Sequence, residues 1–197
     1  MTAKNNGLTL EIKESNKFLL IIGVKDFKIT NYDVLKKELV KKAQNLEVQL
    51  VDARKIFNIE HIYFATFNAL KAFKNGKNIS NNLAMELLLY ISGQSQIKKA
   101  IEIFGLKEGI MDVAFICIGE RKKDLEKFSK ILQHKFNIEI DNSLVESPSR
   151  KKSKYLKSIF KISDQELNAS RQKKDALENV LSKLIIERMA LLYAKIR

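Results

Sequence analysis

The stretch of residues 58–105 contains three consecutive amphipathic helical patterns, and it constrains the fold more than any other part of the chain. Asn58, Ser80 and Ser95 precede the three patterns as predicted N-caps, because their side-chain oxygens can accept hydrogen bonds from free backbone N–H groups. Gly105 follows the third pattern, at the position where a left-handed glycine commonly ends a helix. The sequence therefore predicts a region of three helices joined by short polar turns.

Patterns with the period of a β-strand flank this region on both sides. Residues 8–12 alternate apolar and polar side chains, and the run 18–24 is apolar enough for a central strand, so together they predict an opening hairpin. A helix capped by Asn31 and a strand ending in Asp52 follow. Residues 111–118 are apolar on both faces, which predicts a strand covered on both sides. We expect an α/β (α+β) fold, with a small mixed sheet covered by helices and completed by a helical C-terminal segment.

Pro148, the single proline, stands in a serine-rich joint and predicts a boundary. We expect an α/β core domain over residues 1–147, which includes the three-helix region. Residues 148–197 are expected to form a basic helical segment that packs on that core, with helices at about 150–161 and 174–195.

The chain carries a formal net charge of +13, and the charge is unevenly distributed. Residues 150–197 hold 13 basic and 5 acidic side chains, an excess that indicates a polyanionic partner. The alternative is a generally lysine-rich protein whose charged helix faces are merely solvated.

A set of residues within 58–105 resembles a known family in both order and spacing. The set comprises His61, Ala65, Ala69, Asn78, Glu86, Leu87, Leu88, Ser92, Gly93, Gln96, Ile97, Ala100 and Gly105. With the strand after Gly109 and the run 186–192, it resembles the smallest regulatory subunit of the KEOPS complex, the PRPK-binding protein (TPRKB) family in its archaeal form. The basic segment 147–174 is long for that family.

This resemblance implies a non-catalytic subunit without a cofactor. Such a subunit binds the KEOPS kinase subunit directly, and meets the transferase and dimerisation subunits indirectly. It recruits tRNA through the 3′ CCA end for the formation of threonylcarbamoyladenosine.

The candidate RNA-binding residues combine this implication with residue chemistry, because single-stranded RNA is bound by rings, amides and basic side chains. Those expected near the tRNA end are His61, Lys74, Lys77, Asn78, Gln96, Lys98 and Lys99. Those expected along the phosphates are Arg150, Lys151 and Lys152.

The last helix is apolar on more than one side, so it is either deeply buried or partly covered by another protein. The candidate kinase-binding residues on it are Ile185, Ile186, Met189 and Tyr193.

Two other classes of function stay open. A stand-alone RNA-binding or RNA-processing protein is favoured if the basic C-terminal segment dominates binding. An enzyme would use Asp52, Glu60 and His61 as acid and base groups, but only their proximity in sequence supports it. The chain has no glycine-rich phosphate loop and no nucleophile elbow.

Two histidines and one cysteine make a zinc site of the usual kind improbable, and we expect Cys117 to be a buried, inert thiol. There is no secretory pattern and no apolar run near the roughly 20 residues that span a bilayer. The sequence predicts a cytoplasmic protein with no membrane partner.

Overall fold

The computed structural model describes residues 7–172 and 174–195. Its strands are β1 (Leu8–Ile12), β2 (Lys17–Ile29), β3 (Glu47–Asp52), β4 (Gly109–Gly119) and β5 (Glu139–Ile140). Its helices are α1 (Tyr32–Ala43), α2 (Ile59–Lys74), α3 (Leu83–Ser92), α4 (Ile97–Phe104), α5 (Lys122–Phe136), α6 (Ser143–Glu146), α7 (Arg150–Ile159), α8 (Asp164–Ala169) and α9 (Leu177–Lys195). The expected α/β class, with a sheet and helices, is confirmed.

The described residues form two compact units, each made of two separate segments of the chain. The first unit takes in residues 7–54 and 105–144, and the second takes in residues 55–104 and 145–195. The chain thus divides differently from the expected segments 1–147 and 148–197. The three-helix region and the C-terminal segment belong to the same unit, because α2 and α3 pack against α9.

The first unit is built on a sheet with strand order β1-β2-β4-β3, and β5 also pairs with β2. Every pairing among the described strands is antiparallel, so the sheet is not the mixed one that we expected. The opening hairpin is confirmed, with a tight turn over Lys13–Ser15. A Cβ on Gly23 of β2 would lie only 2.3 Å from the carbonyl oxygen of Asp141, so glycine lets the chain after β5 pass against the sheet.

One face of this sheet is covered by α1 and α5. Leu39 of α1, Phe128 of α5 and Phe115 of β4 belong to one buried cluster with the apolar residues of β2. Asn31 caps α1 as predicted, since its Oδ1 accepts a hydrogen bond from the N–H of Val34 at 3.0 Å. Val113 to Ile118 of β4 are all buried, which confirms that this strand is central.

The second unit is helical, with α2 packed between α3 and α9. Ala65 and Ala69 of α2 are completely buried, and their small side chains allow close helix contacts. At the start of α2, Asn58 donates to the Ser182 hydroxyl of α9 at 2.9 Å. At its end, Asn75 donates to the Tyr193 hydroxyl at 2.7 Å. The order of these two contacts shows that α2 and α9 run in the same direction.

Candidate functional site

The turn between α2 and α3 is anchored by the buried carboxylate of Glu86. Its Oε2 accepts hydrogen bonds from the backbone N–H groups of Ile79 at 2.9 Å and Ser80 at 2.7 Å. Burial raises the pKa of Glu86, and these two hydrogen bonds oppose that effect. The predicted Ser80 cap is wrong, because Asn82 caps α3 by accepting from the N–H of Met85 at 2.9 Å. The turn therefore has a fixed backbone on which exposed side chains are placed.

Three of the predicted RNA-binding residues lie on this turn. Lys74 and Lys77 are exposed, whereas Asn78 is half-buried and donates to the carbonyl oxygen of Ser80 at 3.1 Å. This segment thus carries two exposed cations and one oriented amide within a few residues.

The ring of Tyr193, at the end of α9, lies against the same turn. The Nζ atoms of Lys71 and Lys77 lie 5.1 and 5.5 Å from its ring centroid, within the range of cation–π attraction. The side-chain amide of Asn75 donates a hydrogen bond to the Tyr193 hydroxyl group, as described above. We call Lys71, Asn75, Lys77 and Tyr193 the Tyr193 cluster. It joins a residue predicted to bind RNA with one predicted to bind the kinase.

Sequence reasoning missed two members of the Tyr193 cluster, Lys71 and Asn75. No local signal identifies them, because their partner Tyr193 lies more than one hundred residues further along the chain. Only the parallel packing of α2 and α9 brings the two helix ends together.

His61 is not on the surface: only 1% of it is exposed. Its Nδ1 accepts from the N–H of Phe57 at 3.3 Å, so Nε2 carries the proton and donates to the carbonyl oxygen of Ile91 at 2.8 Å. Burial lowers the pKa of His61 from 6.5 to about 4; the bond to Ile91 opposes this, and the charge of Lys152 adds to it. In this arrangement the ring is not accessible for stacking with a nucleobase. Its two nitrogen atoms instead link the start of α2 to the end of α3.

The ring of Phe160, just after α7, packs against the ring of His61. The centroids of the two rings lie 5.9 Å apart in an edge-to-face arrangement. Gly93 ends α3 with φ of 62°, and a Cβ there would lie 2.7 Å from the Phe160 ring. Glycine is thus required at this position by both its backbone conformation and the close approach of the ring.

The predicted basic run on α7 divides into exposed and buried residues. Arg150 and Lys151 are exposed. Lys152 is 9% exposed, its Nζ donates to the carbonyl oxygen of Ser147 at 3.2 Å, and burial lowers its pKa. Lys152 is consequently held inside the protein rather than presented to phosphates.

The start of α4 presents the remaining predicted RNA-binding residues. Gln96, Lys98 and Lys99 are all exposed. Ala100 and Phe104 form the buried side of the helix, and Ile97 and Ile101 stay 39% and 46% exposed on the outer side.

The predicted kinase-binding residues of α9 lie on different sides of that helix. Ile185 and Met189 are completely buried and therefore belong to the packed core. Ile186 and Tyr193 are partly exposed, and Leu191 is 41% exposed. The outer stripe of α9 comprises Lys183, Ile186, Glu187, Ala190, Leu191 and Ala194.

The acid and base groups considered for catalysis all have structural partners. Both carboxylate oxygens of Asp52 accept from the guanidinium group of Arg54 at 2.9 Å. Glu60 accepts from the Ser182 hydroxyl at 2.9 Å, and His61 is buried. Cys117 is a buried thiol whose pKa is raised by burial, as the sequence predicts for an inert cysteine.

Two features are absent from residues 7–172 and 174–195, the ranges that the structure describes. No group of three His, Cys, Asp or Glu side chains is arranged to hold a metal ion. Nor is any helix in these ranges both long enough and apolar enough to cross a membrane.

Residues 27–193 match the family model described as kinase binding protein CGI-121. The chain is also similar to KEOPS complex subunit Cgi121 of Pyrococcus abyssi, with 33% identity over 60% of this chain and 64% of the relative. It shares 34% identity with regulatory protein Cgi121 of Methanocaldococcus jannaschii, over 59% of this chain and 72% of that protein. It shares 27% identity with EKC/KEOPS complex subunit CGI121 of Coccidioides immitis, over 54% of this chain and 52% of that protein. The matched region thus spans slightly less than two thirds of the Pyrococcus relative.

Proposed function

We propose, on the premise that this chain belongs to the CGI-121 family of kinase-binding proteins, that it is a non-catalytic subunit of a KEOPS complex. In that role it binds the kinase subunit directly and the transferase and dimerisation subunits indirectly. It recruits tRNA by the 3′ CCA end for threonylcarbamoyladenosine formation. The observation that carries the tRNA part is the Tyr193 cluster, where an aromatic ring, two cations and an amide meet at one turn.

The chemistry of the Tyr193 cluster suits a single-stranded RNA end. Bases stack on aromatic faces, amides bond to base edges, and lysines attract phosphates. Lys74 and Asn78 extend the same turn, and Gln96, Lys98 and Lys99 add exposed groups at α4. His61 lies at the opposite end of α2, where its ring links the start of α2 to the end of α3 and packs against Phe104 of α4.

The tRNA proposal is tested by comparing one tRNA with the same tRNA lacking its last three nucleotides. Stacking of one base on an aromatic ring contributes about 1–3 kcal/mol, so Tyr193→Leu should weaken binding of the intact form by about five-fold or more. The same substitution should leave the affinity for the trimmed tRNA nearly unchanged, because the trimmed form lacks the stacking base.

The matched control is a double variant of the exposed basic residues of α7, Arg150→Gln with Lys151→Gln. These side chains attract only phosphates, so both tRNA forms should lose affinity equally and the salt dependence should flatten. If instead the α7 variant lost the preference for the intact end and Tyr193→Leu kept it, the proposed site would be wrong.

The outer stripe of α9 is proposed as the surface for the kinase. Ile186, Ala190, Leu191 and Ala194 place aliphatic groups on the solvent side of a helix whose other side is already packed. Leu191→Glu should therefore weaken binding to the purified kinase subunit by ten-fold or more, measured by calorimetry. Val40→Glu on α1 is the matched control, because Val40 is also an exposed helical aliphatic residue, at 63% exposure. Equal affinities for the two variants would contradict this location.

A further inference from the structure

The two helices that cover the sheet of the first unit carry a basic surface that the proposed tRNA-end site does not use. α1 and α5 lie side by side and run antiparallel. Near the end of α5, Lys135 pairs with Glu38 in the middle of α1 at 3.1 Å. Near its start, Lys127 lines a small hollow together with Lys42 from the end of α1. The lysines of both helices therefore share one outer face.

The charge on this outer face is unbalanced. The two helices hold nine lysines against four acidic residues. Three of those acids already have local partners, since Glu38, Asp124 and Glu126 pair with Lys135, Arg121 and Lys122 respectively. Besides Lys36, six exposed lysines have no ion pair within the ranges that the structure describes: Lys37, Lys41, Lys42, Lys123, Lys127 and Lys130.

The spacing of these six lysines makes a continuous surface. Lys123, Lys127 and Lys130 recur at intervals of four and three residues, and Lys37 and Lys41 are four apart, so each set lies on one side of its helix. Balanced charges are expected on a helix face that is merely solvated, and this face lacks them. Six uncompensated cations on two packed helices attract a polyanion.

The composition of the face favours nucleic acid over protein. Lysine is depleted at the centres of protein interfaces, which are rich in aromatic residues and arginine. The large aliphatic residues exposed on α1 are Val34 and Val40, and neither α1 nor α5 carries an arginine or an exposed Phe, Tyr or Trp side chain. Lysine point charges are, by contrast, the usual partners of a phosphodiester backbone.

We propose that the outer face of α1 and α5 is a second RNA-binding surface, which holds the phosphodiester backbone without reading its sequence. It lies in the first unit, whereas the Tyr193 cluster lies in the second. This surface needs no single-stranded 3′ end. It can therefore be tested independently of the proposed recognition of the CCA end.

The experiment uses the full chain and a blunt RNA hairpin duplex, which has no single-stranded 3′ end. One variant carries Lys41→Gln, Lys42→Gln, Lys123→Gln and Lys127→Gln. The control carries Lys13→Gln, Lys25→Gln, Lys28→Gln and Lys107→Gln, four exposed lysines of the same unit outside the face. Both variants lose the same formal charge, and thermal melting by circular dichroism verifies that each is folded.

We expect the face variant to bind the duplex at least ten-fold more weakly than the control. The slope of log affinity against log salt should fall by about 3–4, because each lost phosphate contact removes about 0.9. Equal losses in both variants would show only a net-charge effect and would overturn the proposal. So would unchanged binding in the face variant. If polyglutamate of matched charge displaced the bound duplex as effectively as an excess of the same duplex does, the face would bind acidic proteins. That result would also overturn the proposal.

Discussion

Protonation of the buried ring of His61 should destabilise the fold, and His61→Gln should remove that pH dependence. The pKa falls from 6.5 to about 4 on folding, chiefly through burial. The unfolded chain therefore binds more protons between these two values. The stability that the neutral ring contributes is complete above pH 6.5 and is lost as the pH falls toward 4.

The two pKa values differ by about 2.5, which corresponds to about 3 kcal/mol at the acid limit and about 2 kcal/mol at pH 5. Urea denaturation at pH 7.5 and pH 5 gives the change in free energy of unfolding for each protein. Carboxylates titrate in the wild type and the variant alike, so the difference between their two changes isolates His61. Glutamine keeps an N–H that can reach the carbonyl oxygen of Ile91.

His134→Gln is the matched control, because His134 is exposed and is the chain's other histidine. It should retain the full wild-type pH dependence. If His61→Gln showed the same loss of stability between pH 7.5 and 5 as the wild type, the ring would be accessible in solution. Its assignment to a structural role would then be refuted.

Substitutions at four further positions should change the free energy of urea unfolding at pH 7.5. Gly93→Ala should lower it by about 1–3 kcal/mol, because φ is positive there and the Phe160 ring leaves no room for a Cβ; a neutral result would mean that the ring lies elsewhere. Glu86→Ala should lower it by about 1–3 kcal/mol, since two backbone N–H groups lose their acceptor, whereas Glu86→Gln should cost less. Ile185→Ala should lower it by about 2–5 kcal/mol and Leu191→Ala by less than about 1 kcal/mol, and equal costs would contradict the assigned faces of α9.

Local patterns correctly predicted the caps of α1 and α2. Asn31 and Asn58 each accept a hydrogen bond from the N–H three residues ahead, as the sequence indicates. The α2–α3 turn differs because two capping residues stand two positions apart. Glu86 binds the N–H of Ser80 from the next helix, and that tertiary contact leaves the cap to Asn82.

The basic run of α7 has a helical periodicity that its charge alone does not reveal. Lys152, Leu156 and Phe160 recur every four residues, so they share one side of the helix, and all three are buried. The helical period thus identifies Lys152 as an inward residue within a run of cations.

The two sides of α9 could not be distinguished from its sequence. The helix is apolar around most of its circumference, and α2 and α3, which pack against it, come from a distant part of the chain. The same reason explains why the Tyr193 cluster was missed, since its members meet only through tertiary packing.

The most direct test of the proposed function is purification of the tagged chain from its native cells, with nuclease treatment before elution. Mass spectrometry then identifies the proteins that stay bound. A KEOPS subunit should retain the kinase subunit in near-stoichiometric amount after the RNA is destroyed, because their contact is between proteins. If every partner were lost with the RNA and no kinase were recovered, the chain would be a stand-alone RNA-binding protein, and the proposed function would be contradicted.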